Sequence, residues 1–281
     1  MNIKLFVCCH KATPMIQNST LTPIWVGGSC PIDKACTDNT GDHISEKNPF
    51  FSELTAHYWI WKNVEADYYG IFHYRRFLDF SEKPAFPSFH TFSNKLSRRY
   101  GWDTNSIFEK CRHADIILPQ RKKVSVRRPM SLYDYYAQEH HIKDLDMALT
   151  VLKEKYPEMI PTAKDVLNET TGYFCNLFIM SKPYFQAYEK WLFDILFEVE
   201  KRIDISSYDS YQRRVFGFLS ERLQNIYIEH LKRHTSARII ELPLVYWEAD
   251  AKTFYKRKFK YVKRRFLRLI GLYHDKNHHH R

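Results

Sequence analysis

Short apolar runs, separated by segments of helical period, confine this chain to one class of architecture. Residues 3–9, 68–74, 114–119, 173–180 and 238–247 are rich in Ile, Leu, Val, Phe and Tyr and are bounded by polar or Pro residues. Runs of this length and composition read as buried strands. Between them, residues 49–63, 104–113, 131–156, 183–202 and 211–233 read as helices, with Leu54, Tyr58 and Trp61 recurring at helical spacing in the first. Asp103 or Thr104 is placed to cap the second, and Pro157 to stop the third, which is expected to run unbroken. Residues 77–99 read as irregular. Alternating strands and helices predict an α/β fold with a mainly parallel sheet flanked by helices. Ligands of such sheets bind at the carboxyl ends of the strands. Three predicted strand ends are polar: His10-Lys11, residues 73–76 and residues 119–123.

The chain has 281 residues, 44% of them apolar and 16% aromatic, enough to bury a substantial core. No apolar run approaches the roughly 18–20 residues that span a bilayer. The first residues read as a buried strand rather than a signal peptide, so a cytoplasmic location is expected. Six Cys form no C-x-x-C pair and read as free thiols. The net charge is +11, and nine Lys and Arg with no acid lie between Lys252 and Arg268, leaving +2 for the rest. A uniformly basic nucleic-acid binder would distribute its charge differently, and no nucleic-acid partner is expected. The chain therefore divides into a domain over 1–250 and a basic tail over 251–281. In the tail, Tyr255, Phe259, Val262, Phe266, Leu269 or Ile270, and Tyr273 recur every three or four residues. A basic amphipathic helix of this kind predicts contact with an anionic membrane surface through residues 252–273, peripheral on the inner face of the cell membrane. A core-docked helix with a basic outer face, or an RNA-binding arm, are the alternatives.

Several residues are candidates for chemistry. His73-Tyr74-Arg75-Arg76 sets fixed cations at the rim of a sheet, where guanidinium forks can grip a diphosphate. Pairing of one Arg with Asp79 or Glu82 is the competing reading. In the loop over 38–48, Asp38, Asn39, Asp42 and Ser45 can bind sugar hydroxyls or cap their own backbone. Glu53 follows on an apolar helix. His140 and Asp144, four apart on the helix expected over 131–156, would share a face, with His141 beside them. Asn176 is a lone amide in an apolar strand and needs a partner or a ligand. Arg213 and Arg214 can add to an anion site. Glu221 is a base or an ion-pair partner.

Taken in order, these segments resemble a bacterial family of unknown function found in capsule, exopolysaccharide and O-antigen gene clusters. The resemblance covers residues 3–247. It rests on Cys9-His10-Lys11, the 38–48 loop, Glu53-Leu-Thr with Tyr58-Trp59 and Trp61-Lys-Asn63, Gly70-Ile-Phe-His-Tyr-Arg-Arg76, His140-His141 with Asp144-Leu145, Asn176 with Phe178-Ile-Met180, Trp191-Leu-Phe-Asp-Ile-Leu196, and Arg213 with Gly217-Phe-Leu-Ser-Glu-Arg222. Departures are His43, where Asn is common, and Phe77, where Tyr is common. The resemblance implies a Rossmann-like glycosyltransferase A type fold. It also implies transfer of a sugar, galactofuranose in the functional precedent, from a UDP-sugar donor to a glycan or polyprenyl-linked acceptor. Many enzymes of that fold hold a divalent metal on an Asp-x-Asp. Here Arg75 and Arg76, helped by His10, Lys11 or Arg213, are expected to replace it, so no cofactor is expected and a divalent metal is the alternative. Asp38, Asn39 and Asp42 would hold donor hydroxyls. Glu221, Asp144 and His140 are the candidates for the base. The rival reading is a non-catalytic binding protein that holds RNA or acidic polysaccharide through the tail.

Overall fold

The computed structural model describes residues 1–10, 21–28, 36–83, 85–93, 95–125 and 128–269, with side chains to Lys263. Its strands are β1 (Ile3–Cys9), β2 (Leu21–Trp25), β3 (Cys36–Thr37), β4 (Tyr68–His73), β5 (Arg76–Leu78), β6 (Ser88–Phe89), β7 (Ile116–Pro119), β8 (Lys122–Lys123), β9 (Thr171–Gly172), β10 (Phe178–Ser181), β11 (Ile239–Leu242) and β12 (Leu244–Trp247). The helices are α1 (Asn48–Phe51), α2 (Leu54–Asn63), α3 (Lys95–Tyr100), α4 (Thr104–His113), α5 (Leu132–Glu139), α6 (Ile142–Lys155), α7 (Ile160–Asn168), α8 (Lys182–Arg202), α9 (Val215–His234) and α10 (Ala251–Leu269).

The main sheet has the order β11-β7-β10-β4-β1-β2-β3. Every pair in it is parallel except those made by β10, which runs antiparallel to both β4 and β7. The expected mainly parallel α/β sheet is therefore present. Successive strand residues point to opposite faces, and here both faces are buried. Phe6, Cys8, Ile71, Ile116, Phe178 and Met180 enter one core, shared with α2, α6, α8 and α9. Leu5, Val7, Phe72, Ile117 and Ile179 enter the other, beneath α4 and the outlying β5, β6 and β12. Gly70 is required at the centre, because a Cβ there would stand 2.3 Å from Leu5 Cδ2.

Three local expectations are corrected. The helix expected over 131–156 breaks into α5 and α6, because His140 is extended (φ −143°, ψ 173°) and its ring stacks on Phe218 at 3.9 Å instead of following the helix. His140 and Asp144 consequently do not share a helix face. The strand expected over 173–180 begins only at Phe178, because Cys175 (φ 83°) and Asn176 (φ 46°) are left-handed and turn the chain. Residues 77–99 are not wholly irregular: β5 and β6 both pair with β12. Asp103 does cap α4, accepting the Ser106 N–H at 2.9 Å.

β4 turns back on itself through Tyr74 and Arg75, so that His73 pairs with Arg76. The returning β5 pairs with β12, which leads into α10. On α10, Phe254 and Tyr261 pack on Phe86 at ring separations of 5.9 and 5.0 Å, and Arg257 ion-pairs with Glu248. No described helix is long and apolar enough to cross a membrane.

Candidate functional site

A cavity of about 980 Å³ opens at the carboxyl ends of β1 and β4, facing the α1–α2 junction and the first turns of α9. One side is cationic. β1 ends in His10, and the β4–β5 turn delivers His73, Arg75 and Arg76. Arg213 and Arg214 project from the turn preceding α9. The amino end of that 20-residue helix adds its own partial positive charge. Among the described residues, none of these four Arg has an acidic ion-pair partner. Asp79 is not available to them: it is buried and accepts from Ser81 N and Ala85 N, both at 3.0 Å. Arg214 Nε donates to Ser52 Oγ at 3.0 Å, and Arg75 lies 5.1 Å from the Tyr74 ring.

His73 registers the crowding. Burial, then Arg76, Arg75, His10 and Arg214, push its pKa down to about 3. Its Nδ1 accepts the Arg75 N–H at 3.3 Å, which leaves the proton of the neutral ring on Nε2. Such a cluster of like charges is costly unless an anion neutralises it.

The opposite side carries carboxylates. Glu221 lies two turns along α9 from Arg214. Its Oε1 accepts the Cys175 N–H at 2.7 Å, and its Oε2 accepts from Arg222 at 2.9 Å. Arg222 is only 2% exposed and stands over the rings of Tyr136 and Tyr135 at 5.0 and 5.6 Å. Both Glu221 oxygens are thus held, and 19% of its side chain remains open to the cavity. Burial raises its pKa, with Glu53 adding to the rise and Arg222 opposing it. Glu53 Oε1 in turn accepts from Asn176 Nδ2 at 2.8 Å. Asn176 also donates to the Gly217 carbonyl, and its own Oδ1 is buried without a partner.

Backbone strain collects at the same place. Ser52 (φ 52°), Cys175 and Asn176 are the left-handed non-glycine residues among those described. The first two line the cavity, and the third holds Glu53. Each costs of order 1–2 kcal/mol. Gly217 lets α9 approach Ser52: a Cβ there would lie 3.3 Å from Ser52 Cβ. Burial also pushes the Cys175 thiol up to about 12, so it is protonated at neutral pH.

Of the residues singled out in the sequence, His10, Glu53, His73, Tyr74, Arg75, Arg76, Arg213, Arg214 and Glu221 line this cavity. Asn176 stands one layer behind. Lys11 lies outside the described residues, as do Ile270 and Tyr273. Asp38, Asn39 and Asp42 of the 38–48 loop do not line it. Asp38 is fully buried and accepts from Ser45 Oγ at 2.5 Å and from the Gly27 N–H at 3.3 Å. Asn39 donates to the Gly28 carbonyl at 3.4 Å, and Asp42 accepts from Tyr58 at 3.1 Å. His140, His141 and Asp144 also stand away from it. His140 backs the wall formed by Phe218 and is held by Gln212 at 3.1 Å. Asp144 is buried under Tyr208, which donates to it at 2.9 Å, and His141 stacks on that same tyrosine at 4.2 Å. Ser52, Tyr211, Asn48 and Cys175 line the cavity without having been singled out. The one usable signal among them was Cys175-Asn176, since Asn tolerates the left-handed region that turns a chain.

Among the described residues, no three His, Cys, Asp or Glu side chains come together as metal ligands.

No curated protein matches the chain significantly. Among solved structures, it is similar to the apo structure of WbbM, a bifunctional glycosyltransferase, at 34% sequence identity and a TM-score of 0.83. The similarity covers 88% of this chain and 46% of that one, so the chain spans less than half of that protein. The largely parallel sheet with its flanking helices is thus a glycosyltransferase fold. The family described as Domain of unknown function (DUF4422) matches residues 4–233, most of the chain, and the chain belongs to it.

Proposed function

We propose that the chain is a glycosyltransferase that moves a sugar from a UDP-linked donor to a lipid-linked or growing surface glycan. Galactofuranose is the donor sugar to test first, and capsule, exopolysaccharide or O-antigen assembly is the setting. The observation that carries the reading is the cluster of acid-free Arg side chains facing a held carboxylate across one cavity. The similarity to a bifunctional glycosyltransferase supports it.

In the transfer, the bond between the anomeric carbon and the diphosphate breaks as an acceptor hydroxyl oxygen attacks that carbon. The leaving diphosphate gains negative charge. Arg75, Arg76 and Arg214 hold that charge without titrating, and His73 Nε2–H adds a neutral donor. Glu221 takes the acceptor proton. Its fixed oxygens keep it aimed, and its raised pKa improves its match to the hydroxyl. Glu53, held from behind by Asn176, forms the adjoining wall, where sugar hydroxyls can be bound. A non-catalytic protein that grips RNA or acidic polysaccharide has no use for a held carboxylate opposite its cations.

The test is a calorimetric and thermal-shift screen against UDP, GDP, CMP and ADP, then UDP-galactofuranose, UDP-galactose and UDP-glucose, with and without Mn²⁺. Selective stabilisation by UDP, absent in an Arg75→Ala, Arg76→Ala variant, is the expected result. No stabilisation by any nucleotide overturns the reading.

A further inference from the structure

We propose that α10 is an interfacial helix that seats the protein on an anionic lipid surface. The proposal stands on α10 alone and does not depend on the sugar-transfer reading. Phe254 and Tyr261, seven residues apart, face inward onto Phe86 and make one docked side. Tyr255, Phe259 and Val262, spaced four and three apart, form a second stripe about a third of a turn away. Apart from the edge of Tyr255 against the Phe254 ring at 5.2 Å, that stripe faces outward: the three residues are 62%, 71% and 56% exposed. Apart from them, the exposed large apolar side chains among the described residues are Met1 and Tyr211, the latter in the cavity.

The charges sit where a bilayer would use them. Lys258 borders the stripe on one side, and Lys252, Lys256 and Lys263 border it on the other, with Lys260 beyond. The helix carries no acid, and Arg257 is spent inward on Glu248. A stripe of two aromatics and a Val, flanked by uncompensated lysines, fits insertion into the boundary between headgroups and acyl chains, with ammonium groups at the phosphates. RNA would engage the lysines and could stack on the rings, but it offers Val262 nothing. The seating also has a direction. Trp247, at the end of β12, donates its backbone N–H to the Arg75 carbonyl at 3.0 Å, so the helix and the cationic rim hang from one antiparallel strand pair, β5 and β12. A surface-bound α10 would hold the cavity beside the headgroups.

The experiment is co-sedimentation of the full chain with vesicles of phosphatidylglycerol and phosphatidylcholine in equal parts, and with vesicles of phosphatidylcholine alone. Binding is expected to the mixed vesicles and to weaken as salt rises. Lys256→Gln, Lys260→Gln and Lys263→Gln together should weaken it about a hundredfold, at about fivefold per lysine. Tyr255→Ser with Phe259→Ser should weaken it about tenfold or more. All five side chains are exposed, so circular dichroism melting should be unchanged, as should UDP affinity. Equal binding to neutral vesicles, or undiminished binding by both variants, overturns the proposal. So does tighter binding to poly(U) RNA than to vesicles, lost in the same variants.

Discussion

Arg76→Ala separates a guanidinium kept for a ligand from one kept for the fold. Arg76 begins β5, is half-buried, lies opposite His73 in register, and has no acidic ion-pair partner among the described residues. If the cluster awaits an anion, removing one charge from the free protein relieves repulsion and loses only the packing of an aliphatic stem. The two nearly cancel, so the melting temperature should move by no more than about 2 °C for a chain of this size. UDP binding should behave differently. A charge-assisted hydrogen bond to phosphate contributes roughly 1.5–3 kcal/mol, so affinity should fall about 10- to 150-fold. A third readout is His73. Arg76 is the largest charge depressing it after burial, so its pKa should climb from about 3 but stay below 6.5. The sign for stability follows. The folded protein holds His73 neutral while the unfolded chain protonates it, so stability rises with pH between about 3 and 6.5. The variant should therefore lose less stability on acidification than the parent. Calorimetry with UDP, a melting series from pH 4 to 7, and NMR titration of His73 measure all three. A variant that melts more than about 6 °C lower and binds UDP as before would refute the reasoning.

Glu221→Gln should lower transfer by about a thousandfold or more with UDP affinity retained, and the parent's rate should fall as pH drops through a pKa above the ordinary carboxylate value; a steady-state pH profile measures this. Transfer should persist in EDTA, and loss of activity restored by Mg²⁺ or Mn²⁺ would show that the cations do not suffice. Gly101→Ala places a Cβ 2.9 Å from the Phe80 carbonyl carbon at φ +65°, and should cost about 2–3 kcal/mol in denaturant melts. Cys175 should resist iodoacetamide at pH 8, since the thiol pushed up to about 12 has almost no thiolate there, and mass spectrometry of its peptide reads this.

What the sequence disclosed was periodicity and local charge. Residues 3–9 and 68–74 read as strands because burial on both faces leaves a continuous apolar run, and the Arg pair at 75–76 read as a site because a strand had just ended. What it hid was tertiary. His140 leaves its helix for the sake of Phe218, 78 residues away, and no propensity announces that. Cys175 and Asn176 turn left-handed inside an apolar run because Glu221 and Glu53 claim the Cys175 N–H and the Asn176 amide from other elements. Asp38 read somewhat more readily as a loop brace than as a sugar ligand. Its fate was set by Ser45 and by the Gly27 backbone, which occupy both of its oxygens.

The antiparallel strand in the middle of the sheet has a consequence for the order of assembly. β4 and β7 are made early, yet the strand that joins them, β10, arrives about a hundred residues after β4. Until it enters, the growing chain carries two open strand edges, and long-range pairing of this kind is slow. Cys175 and Asn176 sit immediately before β10, so the turn that fixes Glu221 and Glu53 forms only as that gap closes. The part of the cationic rim carried by the ends of β1 and β4 can exist before then, while Arg213, Arg214 and Glu221 follow β10 in the chain. A half-made protein would present Arg75 and Arg76 with Glu53 not yet held by Asn176 and Glu221 not yet made, and would acquire both walls of the cavity only when α9 packs on the completed sheet.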